Sequence, residues 1–213
     1  MGQQLLGTAY TFAPMAVSTA AAAAGVTGAG PWATIVQPTD SLGHQVTIKN
    51  NTATDHSGKT LTITGTDPDG KAQTETRAAP GTSATVSSAK YYKTLTSVAI
   101  SSTIGADTFD LGYSAVIKSQ SYLLNAGSPT GASMFPSQTG TSTWSIELCP
   151  TDPSSGATQA ASPWIAAAAG LTSQTATGTA LTATAVGFGA WRWSQASQSS
   201  TPSITIYVTQ PGA

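Results

Sequence analysis

Between Leu61 and Leu111 the chain alternates β-branched and polar residues on a period of two, and turn residues interrupt the pattern every eight to twelve positions. Successive side chains of a strand point to opposite faces, so this rhythm specifies an antiparallel meander and excludes an amphipathic helix. Leu61, Ile63 and Gly65 point one way and Thr60, Thr62 and Thr64 the other, which writes a dry face and a wet face into one segment. Asp67-Pro68-Asp69-Gly70 supplies the turn that follows. Its proline pre-sets φ, its aspartates bond their own backbone, and its glycine accepts positive φ, as a type I turn with a bulge requires.

Candidate strands fall at 33–37, 45–49, 60–65, 72–77, 83–87, 94–101 and 108–117. Seven short strands over residues 35–117 fit a sandwich of two antiparallel sheets. Residues 118–121 read as a polar hinge. Beyond it, residues 122–213 carry only Glu147, Asp152 and Arg192 as charges and hold four of the five tryptophans, Trp144, Trp164, Trp191 and Trp193. Principal strands are expected at 143–148, 189–193 and 203–208, with weaker ones near 122–126, 163–165, 171–176 and 180–186. The expected fold is all-β: two antiparallel Ig-like β-sandwich domains, 35–117 and 122–213, preceded by an extended N-terminal arm over 1–34.

The arm reading rests on composition. Residues 1–34 are rich in Ala and Gly, show no strand alternation, and precede the first charged residue, Asp40. One or two helical turns are expected around Ala20 to Ala24. Leu5, Leu6, Tyr10, Phe12, Met15 and Trp32 are isolated apolar anchors in a segment that cannot build a core alone. They are the expected partner-binding side chains, ordered on a neighbouring subunit. With no Lys or Arg before Lys49 and with Pro14 interrupting the apolar stretch, the segment does not read as a secretory signal. No run approaches the roughly eighteen apolar residues of a membrane span.

Charge excludes further classes. Only 8% of residues are charged and the net charge is −1, so the clustered cations that neutralise nucleic-acid phosphates are absent. So little charge also gives weak protection against association, the composition of a chain that ends up assembled. Cys149 is the single cysteine, which rules out an intramolecular disulfide and a cysteine zinc cluster and leaves it as a small buried hydrophobe. His44 and His56 are the available imidazoles, with Asp40 and Asp55 nearby in sequence; both read as solvated loop residues, and no serine sits in a G-x-S-x-G elbow. Asp67 and Asp69 lack the closing glutamate of a calcium loop and read as turn residues. No catalytic, cofactor or metal residue is therefore assigned. Of Tyr91 and Tyr92, between Lys90 and Lys93, period two sends one inward and one outward. Trp191 and Trp193 share one side of a strand as core, with Arg192 on the other.

The stretch from Gly58 to Ser114 resembles a recurrent module of tailed-bacteriophage virion structural proteins: a T-x-T-G-T-D-x-D-G hairpin, a T-E-T strand, a K-x-[YF]-K-T-[VL]-T-S-V strand and a closing G-A-D-T strand. Thr62 to Gly70, Thr74 to Thr76, Lys90 to Val98 and Gly105 to Asp110 match it in order. The second half is similar to the module that often follows, through Trp144-Ser145-Ile146-Glu147-Leu148, Trp164, Trp191-Arg192-Trp193 and Ser203 to Gln210. Together the matches cover about 160 of the 213 residues. The resemblance implies a non-enzymatic virion protein of the decoration, cement or head-fibre kind, with the major capsid protein or neighbouring subunits as partners. A homo-oligomer, most plausibly a trimer, is expected. A tail, neck or adaptor ring component and a bacterial Ig-like adhesion module are the competing classes.

Overall fold

In the computed structural model the described residues are 5–32, 35–124, 133–150, 153, 162–166, 174–175, 189–199 and 201–211. Their regular structure is entirely β. In chain order the strands are β1 (Leu5–Phe12), β2 (Ser18–Val26), β3 (Gly43–Asn50), β4 (Thr60–Thr66), β5 (Ala72–Ala78), β6 (Thr85–Tyr92) and β7 (Thr94–Ile100). There follow β8 (Phe109–Lys118), β9 (Tyr122–Leu123), β10 (Ser133–Thr139), β11 (Ser142–Cys149), β12 (Ile165–Ala166), β13 (Ala190–Gln198) and β14 (Ser203–Pro211). The chain divides into two compact units, one of residues 16–117 and one that joins residues 1–15 to residues 118–213.

In the continuous unit, β5-β4-β7 form one antiparallel sheet, and β8-β3-β6, with β2 on β8, form the other. The alternation in β4 is realised: Leu61 and Ile63 are fully buried while Thr60 and Thr62 are exposed. Val46, Ile48, Val98, Phe109 and Leu111 complete this core, and the Tyr92 hydroxyl donates to the Ile63 carbonyl at 3.3 Å. Tyr92 is buried and Tyr91 half-buried, the split that period two requires. The hairpin turn has the expected chemistry. The Asp67 carboxylate accepts the N–H groups of Asp69 and Lys71 at 2.9 Å each, and Gly70 has φ +83°.

Edges of this unit are closed by side chains and crossing backbone. Glu75 of β5 accepts the N–H groups of Ala89 and Lys90 at 2.7 and 2.9 Å, tying β5 to β6. Residues 35–37 of the strand expected at 33–37 instead cross the end of β7, where the Gln37 amide both donates to the Leu95 carbonyl at 2.9 Å and accepts its N–H at 2.7 Å. Trp32 N–H donates to Val98 and Ile100 N–H to the Ala29 carbonyl, so the edge is paired rather than open. At Gly65 the backbone of β4 comes close to that of β7: a Cβ built there would lie 2.0 Å from the Thr94 carbonyl oxygen. Gly65→Ala is expected to lose about 2 kcal/mol, read as a shift of the urea midpoint, because backbone must move to admit the methyl. An unchanged midpoint would show that the β4–β7 register shift there absorbs it.

The other unit corrects the expected arm. Of the expected 1–34 arm, residues 5–32 do not form an extended segment awaiting a partner. Leu5 to Phe12 pair in antiparallel register with Pro211 to Ile204, and Ser18–Val26 pair with β8, where one or two helical turns had been expected. β1 and β10 flank β14 in one sheet, and β12-β11-β13, with β9 on β13, form the second layer. Between them Phe12 stacks on Trp193 at 5.1 Å, and Tyr10 meets Tyr122 and Trp191 at 4.4 and 5.1 Å. Trp191, Trp193, Trp144, Met134, Ile146, Ile204 and Ile206 are buried with them, as is Cys149. The expected hinge is also part of this core: Ser119 is fully buried, donates its N–H to the Trp193 carbonyl and accepts the Trp193 N–H on its hydroxyl. Of the weaker expected strands, 180–186 lies outside the described residues, and Gln174 bridges Trp144.

Candidate functional site

The six residues expected to bind a partner are engaged within the chain wherever their side chains are described. Phe12 and Trp32 are 3% and 6% exposed; Tyr10 lies in the aromatic cluster; the Met15 carbonyl accepts a hydrogen bond from Gln198 Nε2 at 2.8 Å. Trp32 packs its ring edge-on to Phe109. Leu5 and Leu6 are placed by β-pairing with Pro211 and Gln210. Apolar residues in a charge-free N-terminal stretch were read as anchors for another chain; a sheet and a tryptophan cluster in the same chain use them instead.

Both histidines are buried, against the expectation of solvated loops, and each meets a carboxylate. His44 Nε2 lies 2.9 and 3.0 Å from the Asp40 oxygens, and Nδ1 lies 3.2 Å from the Ser114 carbonyl. Both ring nitrogens thus face acceptors, and the ring clamps β3 to β8. His56 Nε2 pairs with Asp107 at 2.8 Å, not with neighbouring Asp55, which instead accepts the Ser57 N–H. The hydrogen bond from His56 holds the Asp107 carboxyl below the usual carboxylate range, and the Ser57 N–H does the same for Asp55. A histidine–aspartate dyad acts as a base only when its other nitrogen reaches a nucleophile. Here His44 Nδ1 faces a carbonyl and His56 Nδ1 is buried with no hydrogen-bond partner. Among the described residues no group of three or more His, Cys, Asp or Glu side chains is arranged to hold a metal ion.

Two of the three charges beyond Ser121 converge with Lys118. Glu147 and Arg192 stand opposite one another on β11 and β13. Arg192 Nε and Nη2 lie 2.6 and 2.5 Å from Glu147 Oε2, and Lys118 Nζ lies 3.1 Å from both carboxylate oxygens. The guanidinium also sits 4.1 Å over the Trp164 ring, a cation–π contact. Burial pushes the Glu147 carboxyl up, but Arg192 and Lys118 outweigh it and hold the group below its ordinary range; burial and the Arg192 charge both pull Lys118 down. Trp191 and Trp193 bury the opposite side of β13, so this strand joins a dry aromatic layer to a compact ionic one.

The surface best suited to a partner is the outer face of β1-β14-β10. Cross-strand rows run Thr11–Thr205–Ser137, Ala9–Tyr207–Phe135 and Gly7–Thr209–Ser133. Tyr207 is 50% exposed at the centre, and no residue of the three strands carries a charge. The sequence marked this region as charge-poor, but only the pairing of β1 with β14 makes one continuous face of it. No helix among the described residues is long and apolar enough to cross a membrane. Comparison with protein-family models, curated proteins and solved structures finds no match.

Proposed function

We propose that this chain is a non-enzymatic structural subunit of a tailed-bacteriophage virion, made in the host cytoplasm and incorporated on the capsid exterior as a decoration, cement or head-fibre protein. The observation that carries this reading is the uncharged outer face of β1-β14-β10, with half-exposed Tyr207 at its centre, Phe135 beside it, and otherwise small or hydroxyl side chains around them. Flat faces depleted of charge and bearing a central aromatic are the composition of assembly interfaces. The motif resemblance of both halves supplies the virion context. The occupant of this face is a second copy of the chain, in a homo-oligomer of which the trimer is the favoured form, and the capsid protein is the further partner. No nucleic acid is a direct ligand, in keeping with a net charge of −1.

Quantitative mass spectrometry of purified particles tests the reading. On the order of hundreds of copies per particle are expected for decoration, whereas about six or twelve would assign the chain to a tail, neck or adaptor ring closed about a symmetry axis. Absence from particles would sink both and favour a surface adhesion module. In sedimentation at tens of micromolar the full chain is expected as an oligomer and Tyr207→Lys as a smaller species, since the lysine places a charge at the centre of the contact. A monomer of unmodified protein would remove this face from the reading.

A further inference from the structure

The His44 ring is sealed from solvent where β3, β8 and the loop 38–42 meet: its side chain is 0% exposed and that of Asp40 4%. Nε2 lies 2.9 and 3.0 Å from the two Asp40 oxygens, and Nδ1 lies 3.2 Å from the Ser114 carbonyl. A carboxylate and a carbonyl can only accept, and a neutral imidazole has a single N–H to give. A neutral ring would set a bare nitrogen against an oxygen in a buried place, at the cost of an unmade hydrogen bond. Both contacts are satisfied together when each ring nitrogen carries a hydrogen. The shared proton belongs to the ring rather than to Asp40, because Asp40 Oδ1 also accepts the Leu42 N–H at 3.1 Å.

The loop around Asp40 depends on the same contact. Ser41 has φ +61°, a conformation that a non-glycine residue holds only where its surroundings enforce it. Asp40 on one side of it is pinned by His44, and Leu42 on the other is buried. Further back the chain is tied at Val36 by the Tyr113 hydroxyl and at Gln37 by Leu95, so residues 38–42 are the stretch that the ring holds. Among the described residues Asp40 is the only charged side chain in contact with the ring. On β8 the Tyr113 ring lies 5.6 Å away, and on β6 Tyr92 stands opposite His44 in register. Burial pushes both phenols up, and their hydroxyls donate to the Val36 and Ile63 carbonyls. In the β4–β5 turn, where Pro68 packs against Gly43, the Asp67 carboxylate accepts the N–H groups of its own turn.

We infer that His44 is a proton-dependent latch: protonated on both nitrogens it joins Asp40 to β8, and loss of the Nδ1 proton to water breaks the bond to Ser114 and loosens loop 38–42 from β8. The closed latch needs the proton and the open one does not, so it is closed on the acid side of the step and open on the alkaline side. This latch does not depend on the virion reading. The test is an NMR titration of the 15N-labelled full chain from about pH 5 to about pH 9, which spans the range where histidines change charge. Two ring N–H groups are expected on His44 on the acid side, followed by one step in which the Nδ1 hydrogen is lost while the Leu42, Ser114 and Ala115 amides shift with the same midpoint. His44→Gln keeps a donor for Asp40 but has no proton to lose, and those three amides are expected to show no such step. Should His44→Gln fail to fold, the unmodified protein still decides. A bare ring nitrogen on the acid side, no step across the range, or proton loss with the three amides unmoved would overturn the latch, as would amide shifts that persist in His44→Gln.

Discussion

Deletion of residues 2–12 is expected to abolish the cooperative melting of the unit built from residues 118–213 while leaving the transition of residues 16–117 in place. The deletion removes β1 from the β14 edge and takes Phe12 off Trp193 and Tyr10 off Tyr122 and Trp191. Phe12 alone is 3% exposed, and Phe12→Ala should cost about 3 kcal/mol through lost burial and the cavity left behind, or about 12 °C in a unit of this size. Calorimetry on the full chain, the deletion and Phe12→Ala resolves the two transitions. If the deleted protein melts like the parent, β1 is peripheral and the earlier picture of a detachable arm regains its force.

Glu147→Gln is the second large effect. It leaves the Arg192 guanidinium and the Lys118 ammonium close together in a partly buried site without their shared counter-charge. Removing one partner of a partly buried ion pair costs about 3 kcal/mol, because the two cations lose the carboxylate that both of them face. Lys118→Met added to Glu147→Gln should recover part of the loss. The native pair also sets a pH dependence. The folded carboxyl of Glu147 releases its proton more readily than the unfolded one, whose ordinary value is 4.5. The unfolded chain therefore binds more protons in acid, and stability falls as pH drops below about 4.5 toward the folded pKa of Glu147. Asp107, held down by His56, adds to the same acid slope. For Lys118, pulled below its ordinary 10.5, the folded state gains as pH rises toward that value. Melting temperatures between pH 3 and 7 should show a shallower acid slope in Glu147→Gln than in the parent; parallel curves would remove Glu147 as a source of it.

How far the residues disclosed the structure depends on where each strand finds its instructions. β4 carries its own, since Leu61 and Ile63 alternate with threonines, and its turn is written in Asp67 to Gly70. Trp191 and Trp193 likewise announced a buried face, with Arg192 behind it. β2 carries almost none: Ser-Thr-Ala-Ala-Ala-Ala-Ala-Gly-Val has no period, and its strand conformation comes from pairing with β8. β1 does alternate in its second half, with Tyr10 and Phe12 on one face, but small residues between them mute the signal. The partner of β1, β14, lies some two hundred residues away, a separation that local pattern does not encode. A shorter separation, 51 residues, hid the His56–Asp107 pair, because the adjacent Asp55 was the obvious companion. Glu147 and Arg192 were visible as rare charges and Lys118 only as part of a hinge, and the facing of the first two depends on the β11–β13 register.

The pairing of β1 with β14 also fixes an order of events during synthesis. Of the fourteen strands among the described residues, β1, the first in chain order, shares its sheet with β14, the last, while the strands of residues 16–117 precede nearly all of residues 118–213. The inserted unit can therefore close on the ribosome, as domains generally fold during synthesis. Throughout that interval Tyr10 and Phe12 have neither β14 nor the tryptophans of β13 to cover them. A chain that stops short of Ser203 strands β1 and β10 on either side of a missing strand. The cell thus receives a complete continuous unit well before it receives the other, and premature termination yields a product with one folded half and a sticky leading end.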